Sequence, residues 1–166
     1  MNPAKRILLD QLPGLLAGYG KSQPDSAVVV LVDVDDRDCI SFKQELLQLL
    51  KRCHPRQRVL FRLAIEEIEA WLLGDKNAIR VGFPRAKLSA LKSYRQDSIC
   101  GTWELLADAV YPGGSSTLKA EGWPRIGQEK CRWASRVGVR LNVEANLSPS
   151  FHVFRSGVLK LCGTEA

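Results

Sequence analysis

The chain has 166 residues, 45% hydrophobic and 25% charged, and its 24 Lys/Arg against 18 Asp/Glu give a net charge of +6. That length suits one domain, since halves would be too small to bury much core. The longest apolar run, residues 27–32, is far short of a membrane span, and Asp10, Gln11, Pro13 and Gly14 break the N-terminal leucines too often for a signal peptide, so a cytoplasmic protein is expected.

Residues 1–17 carry Ile7, Leu8, Leu12, Leu15 and Leu16 at helical spacing, which predicts a helix weakened at Pro13. Residues 18–26 read as a loop. Within it, Gly18-Tyr19-Gly20-Lys21-Ser22 looks like the tail of a phosphate-binding loop, but the first glycine of that motif would fall on Leu15. The motif also needs a strand before it and a helix after, the reverse of the order here. Residues 27–34, AVVVLVDV, are continuously apolar, as expected of a strand covered on both faces. Residues 40–53 form an amphipathic helix with Ile40, Leu46, Leu47, Leu49 and Leu50 inward, residues 58–65 a second strand, and residues 66–74 a helix ended by Gly74. Strand, helix and strand make a right-handed βαβ unit with parallel strands.

Further helices are predicted over residues 76–81, 86–94, 102–110, 126–137 and 149–161, with a Gly/Pro/Ser-rich loop at residues 111–116. The fold class is thus α/β: a small, mostly parallel sheet flanked by helices over residues 1–75, followed by a mainly helical region over residues 76–166, all in one domain. Charge follows the same division. Residues 1–79 hold 11 Lys/Arg and 11 Asp/Glu, whereas residues 80–166 hold 13 and 7, so the basic surplus is late and a polyanion partner is expected there. Cys39, Cys53, Cys100, Cys131 and Cys162 show no C-x-x-C spacing, and His54 and His152 are isolated, so reduced thiols and no zinc site are expected.

The acids are more pointed. Asp33 and Asp35 close the first strand, and alternation would direct both to one side. Glu66, Glu67 and Glu69 follow the second strand at once. In a parallel sheet both groups fall outside the carboxyl ends of the strands, where ligands bind. Carboxylates gathered there raise one another's pKa unless a cation intervenes, and hard oxygens suit Mg²⁺ or Mn²⁺. The simpler alternative is helix capping by Asp35, Asp36 and Asp38, and by Glu66 and Glu67. Asp33 precedes any cap, however, and Glu69 lies at the border of an apolar helix face, where a carboxylate needs a partner.

The strings VVVLVDVDDRDC, AIEEIEAWLLGD, GTWELL and NLSPSFHVF, in this order, resemble domain of unknown function family 4276, small prokaryotic proteins grouped with Toprim-like folds. The resemblance covers residues 27–161. It implies a Toprim-like sheet whose Asp-x-Asp, here Asp33 and Asp35, holds Mg²⁺ for phosphodiester chemistry. Glu67, Glu69, Trp71 and Asp75 match the family's acidic helix block. Lys130 and Trp133, then Asn146, Ser148, Ser150 and Phe151, match its later blocks. A partner ATPase from phage-defence operons is implied as well. Toprim-like proteins usually begin with a strand bearing a glutamate, whereas this sequence opens on a predicted helix.

Arg132, Arg136 and Arg140 recur every four residues near Lys130, as a phosphate-contacting stripe or a solvated face would. Trp71, Trp103 and Trp133 read as core, and Trp123 has no assignment. Ser148 reads as the N-cap of the last helix with Pro149 at its first position, which leaves Ser150 without a capping duty. The resulting expectation is a Mg²⁺- or Mn²⁺-dependent nuclease. Asp33 and Asp35 would hold the metal, Glu67, Glu69 and Lys130 would serve catalysis, and Arg132, Arg136 and Ser150 would contact nucleic acid. The alternative is a non-catalytic accessory module that binds and regulates a partner ATPase.

Overall fold

The computed structural model describes residues 3–55, 57–98 and 101–164. In chain order the elements are α1 (Pro3–Ser22), β1 (Ala27–Asp33), α2 (Cys39–Cys53), β2 (Arg58–Ala64), α3 (Glu69–Leu73), α4 (Lys76–Gly82), α5 (Thr102–Val110), α6 (Gly114–Ala120), α7 (Trp123–Val137) and α8 (Pro149–Leu161). Short 3₁₀ turns occupy Leu88–Leu91 and Gly138–Arg140. The fold is mixed α/β, and the sheet among the described residues is a parallel pair, β1 beside β2. None of the helices described is long and apolar enough to cross a membrane.

Two compact units emerge. The first comprises Met1–Val32, Asp38–Leu63 and Phe154–Ala166; the second comprises Asp33–Arg37 and Ala64–Val153. This division runs through the strand ends rather than at residue 75, so both acidic segments belong with the helical unit.

In the first unit, Leu9, Leu12 and Leu16 of α1, Val30 and Val32 of β1, Phe42, Leu46 and Leu49 of α2, and Phe61 of β2 are buried. The helical spacing of the α1 leucines explains why that helix forms and which side it buries. Three expectations need correction here. Residues 18–22 are not loop: α1 continues to Ser22, whose hydroxyl donates to the Gly18 carbonyl at 3.1 Å. The inward face of α2 is set by Phe42, so Ile40 and Leu47 are left 65% and 41% exposed. Finally, β1 buries one face only, with Val29 39% exposed between Val30 and its neighbours. Capping does explain Asp38, which accepts from the Ser41 amide at 2.8 Å and the Ser41 hydroxyl at 2.6 Å to begin α2.

The second unit is built on Leu72, Leu73, Ile79, Leu91, Trp103, Leu106, Leu118, Ile126, Trp133 and Val137. Two of its elements differ from expectation. Instead of a helix over residues 86–94 there is only the 3₁₀ turn. Where a loop was expected, α6 starts at Gly114, because Gly113 and Gly114 at φ 82° and 72° turn the chain tightly and Asp108 accepts from the Ser115 amide at 2.7 Å. The helix expected from residue 66 begins at Glu69, since Glu66 at φ 62° is left-handed and cannot continue a right-handed helix.

Candidate functional site

The second unit gathers the acidic segments. Beyond the strand ends the parallel pairing continues for two bonds, Val34 N–H to Ala64 O at 3.0 Å and Asp35 N–H to Glu66 O at 2.8 Å. These bonds fix the β1 end against the segment that carries the glutamates. Asp33 Oδ1 accepts from the Ile68 amide at 3.1 Å, so one aspartate of the pair already holds the turn into α3. Asp35 lies outside the strand at φ 54°, and strand alternation therefore does not carry Asp33 and Asp35 to a common side, contrary to expectation.

Glu66 has a different duty from its two neighbours. Buried, it accepts from the Gly101 amide at 2.6 Å, the Thr102 amide at 2.9 Å and the Thr102 hydroxyl. Those amides open α5, whose N-cap position is Gly101 and offers no side chain. A carboxylate from 35 residues away thus satisfies amides that the helix leaves unpaired and complements its dipole. Sequence reading assigned Glu66 to the helix that follows it locally. The signal for the true arrangement is the Gly-Thr start of a helix without its own capping acid.

Glu67 and Glu69 meet around one cation. Lys130 Nζ of α7 is 3.1 Å from Glu67 Oε1 and 3.3 Å from Glu69 Oε2. Burial pushes Glu67 up to about 7, with Lys130 opposing and the charge of Glu69 adding to the rise. Glu69 is raised for the same first reason, opposed by Lys130 and reinforced by Asp33. Burial pulls Lys130 down, but the two carboxylates outweigh it and its pKa ends above the ordinary value. Glu67 Oε2 is buried without a hydrogen-bond partner among the described residues. Among the described residues no three His, Cys, Asp or Glu side chains are grouped to hold a metal ion. The arrangement is a lysine-bridged carboxylate pair with Asp33 beside it.

The segment around Asn146 fastens α3. The Trp71 indole N–H donates to Ser150 Oγ at 2.8 Å, Asn146 Nδ2 donates to the Trp71 carbonyl at 2.8 Å, and the Phe151 ring meets Trp71 edge-on at 5.5 Å. Gly74 is needed at the end of α3, because a Cβ there would overlap the Asn146 amide. Ser148 is the cap of α8 as expected, accepting from the Phe151 amide at 3.3 Å. Ser150, expected at a nucleic-acid surface, is instead buried with its hydroxyl engaged by Trp71. Asp97, at φ 57°, accepts from the Ser148 hydroxyl at 2.9 Å and the Ser150 amide at 2.7 Å. Nothing local in the sequence marks Asp97 or Asn146 for these roles.

On α7 the buried residues Ile126, Glu129, Trp133 and Val137 define one face. Lys130 flanks that face on one border. Arg132 and Arg136 flank it on the other, since two residues of helix turn the chain by about 200°. Both arginines sit over Phe83, with guanidinium carbons 5.9 Å and 5.0 Å from the ring centroid. The third arginine of the series, Arg140, donates to the Arg136 carbonyl at 2.7 Å. Exposed Trp123 stacks at a tilt on Trp103, 6.3 Å between centroids.

No protein-family model, no curated protein and no solved structure matches the chain. The resemblance noted above therefore stands on its four sequence blocks.

Proposed function

We propose that this protein is a Toprim-like hydrolase of phosphodiester bonds, with Glu67, Glu69 and Lys130 as its proton-handling centre. The observation that carries this reading is Glu67. It is a carboxyl 19% exposed, with one oxygen on Lys130 at 3.1 Å, the other unpartnered, and a pKa pushed up to about 7. A group poised near neutrality has enough of both protonation states to take and return a proton at working pH. Glu67 would remove a proton from the attacking water as its oxygen bonds to phosphorus. The ester oxygen would take a proton from solvent water as the opposite P–O bond breaks, and Glu67 would release its own proton to solvent. Lys130 holds Glu67 in place, and Glu69 keeps Lys130 charged. Arg132 and Arg136 would contribute charge toward a nucleic-acid backbone.

Among the described residues no three-ligand group gathers around the Mg²⁺ or Mn²⁺ expected at Asp33 and Asp35, and Asp33 accepts from the Ile68 amide. Divalent ions therefore enter the test as a variable. Lys130 itself favours a second reading. A lysine that already neutralises both carboxylates suits a non-catalytic module, one that binds and regulates a partner ATPase.

The test is cleavage of single- and double-stranded nucleic acid by the whole chain, with Mg²⁺, with Mn²⁺ and with chelator. Cleavage that Glu67→Gln and Lys130→Met each reduce at least about 100-fold, the scale of general acid–base catalysis, supports the hydrolase. Cleavage indifferent to both substitutions overturns it. If nothing is cut and the rate of an ATPase encoded beside the protein changes on mixing, the accessory module is the correct reading.

A further inference from the structure

We propose that a cleft on the second unit, on the arginine border of α7, is a binding site for a nucleotidyl phosphate. The cavity is about 360 Å³ and is lined by the apolar Phe83, Pro84 and Val110 together with Arg85, Arg132 and Arg136. That volume lies within the range of small-ligand pockets, and the mixture of apolar wall and a few charged groups is their usual lining.

The charges decide the class of ligand. Three guanidiniums around one cavity repel one another, and the protein supplies little to neutralise them. Arg132 reaches Glu129 at 3.4 Å, but Glu129 is shared with Arg125, which is closer at 3.0 Å. Neither Arg85 nor Arg136 forms an ion pair among the described residues. The Phe83 ring lies under both guanidinium carbons, at 5.9 Å and 5.0 Å, and partly offsets the repulsion. Guanidiniums gathered in this way recognise phosphate or carboxylate oxygens. A bare inorganic anion would leave the Phe83, Pro84 and Val110 walls unused. A phosphate that carries a flat, weakly polar base uses both parts of the cleft. The ligand is therefore a nucleotidyl unit, either free or within a single strand.

This inference rests on the nucleic-acid part of the proposed function for its ligand class, and its test keeps the two apart. The whole chain is titrated calorimetrically with adenosine 5′-monophosphate and with inorganic phosphate, and by fluorescence anisotropy with a short single-stranded oligonucleotide. The nucleotide is expected to bind more tightly than inorganic phosphate. The Arg132→Ala, Arg136→Ala double variant is expected to lose about tenfold or more, as follows from removing two charge-assisted contacts. Arg136→Lys, which keeps the charge and loses the fork, should recover only part of that loss. Displacement of the oligonucleotide by the mononucleotide shows one cleft serving both sources. Oligonucleotide binding that needs both arginines but ignores the mononucleotide assigns the cleft to a unit of a strand. Equal affinity for phosphate and nucleotide, no binding of either nucleotide ligand, or binding indifferent to both arginines overturns the proposal. A chain that binds nucleotide and cuts nothing refutes the hydrolase and leaves the cleft standing.

Discussion

The indole N–H of Trp71 donates to the hydroxyl of Ser150 at 2.8 Å, across 79 residues of sequence. This bond, the bond from Asn146 Nδ2 to the Trp71 carbonyl and the Trp71–Phe151 ring contact pin α3, the helix bearing Glu69, to the segment around the start of α8. The orientation of one glutamate of the Lys130 pair thus depends on residues that never touch the pair.

Ser150→Ala should therefore leave the buried Trp71 N–H unsatisfied and cost about 1–3 kcal/mol. Trp71→Phe with Ser150→Ala should cost less than the sum of the single changes, because the second substitution removes a group already orphaned. Urea denaturation of the four proteins in the cycle measures the coupling, and additive costs would mean that the bond contributes nothing.

The second prediction concerns pH. Glu67 has its folded pKa pushed up to about 7 from an ordinary carboxylate value. Between those two values the folded state holds a proton that the unfolded state has released, so stability falls as pH rises. The stabilisation is fully present below the unfolded pKa and is lost as pH passes 7. With the side chain 19% exposed, the drop from pH 4.5 to pH 8 should be on the order of 2–3 kcal/mol, and Glu67→Gln should remove most of it. Stability measured at a series of pH values gives the slope, and an unchanged slope in the variant would assign it to other groups.

The third prediction follows from the cap that Glu66 supplies to α5. Glu66→Ala leaves the Gly101 and Thr102 amides and the Thr102 hydroxyl without their acceptor, and should cost about 2–4 kcal/mol. Amide hydrogen exchange in the first turn of α5 should accelerate more than in α7. Uniform acceleration would indicate global destabilisation without a local role for the cap.

Much of the fold was legible because periodicity reports burial. The span of α5, the span of α8 and the start of β1 were read correctly, as was the burial of Trp71, Trp103 and Trp133. Reading failed where one side chain overrides a pattern. Phe42 turns α2 so that Ile40 is outside, and the positive φ of Glu66 delays α3. For the site, sequence located the carboxylates but not their partner geometry. Asp35 leaves the strand, so the Asp-x-Asp alternation does not apply, and the pairing of Lys130 with both glutamates depends on contacts between residues some 60 positions apart. Two of the segments noted in the sequence, those of Trp71 and of Asn146–Phe151, touch directly.

The opposed borders of α7 set a length requirement. A helix with its side chains is about 10–12 Å across. Under the proposed function, a strand gripped at Arg132 and Arg136 would have to pass around α7 before one of its bonds came alongside Lys130. A free mononucleotide would then be held without being processed. In a longer strand, the bond that reacts would lie a fixed number of steps from the phosphate that is gripped.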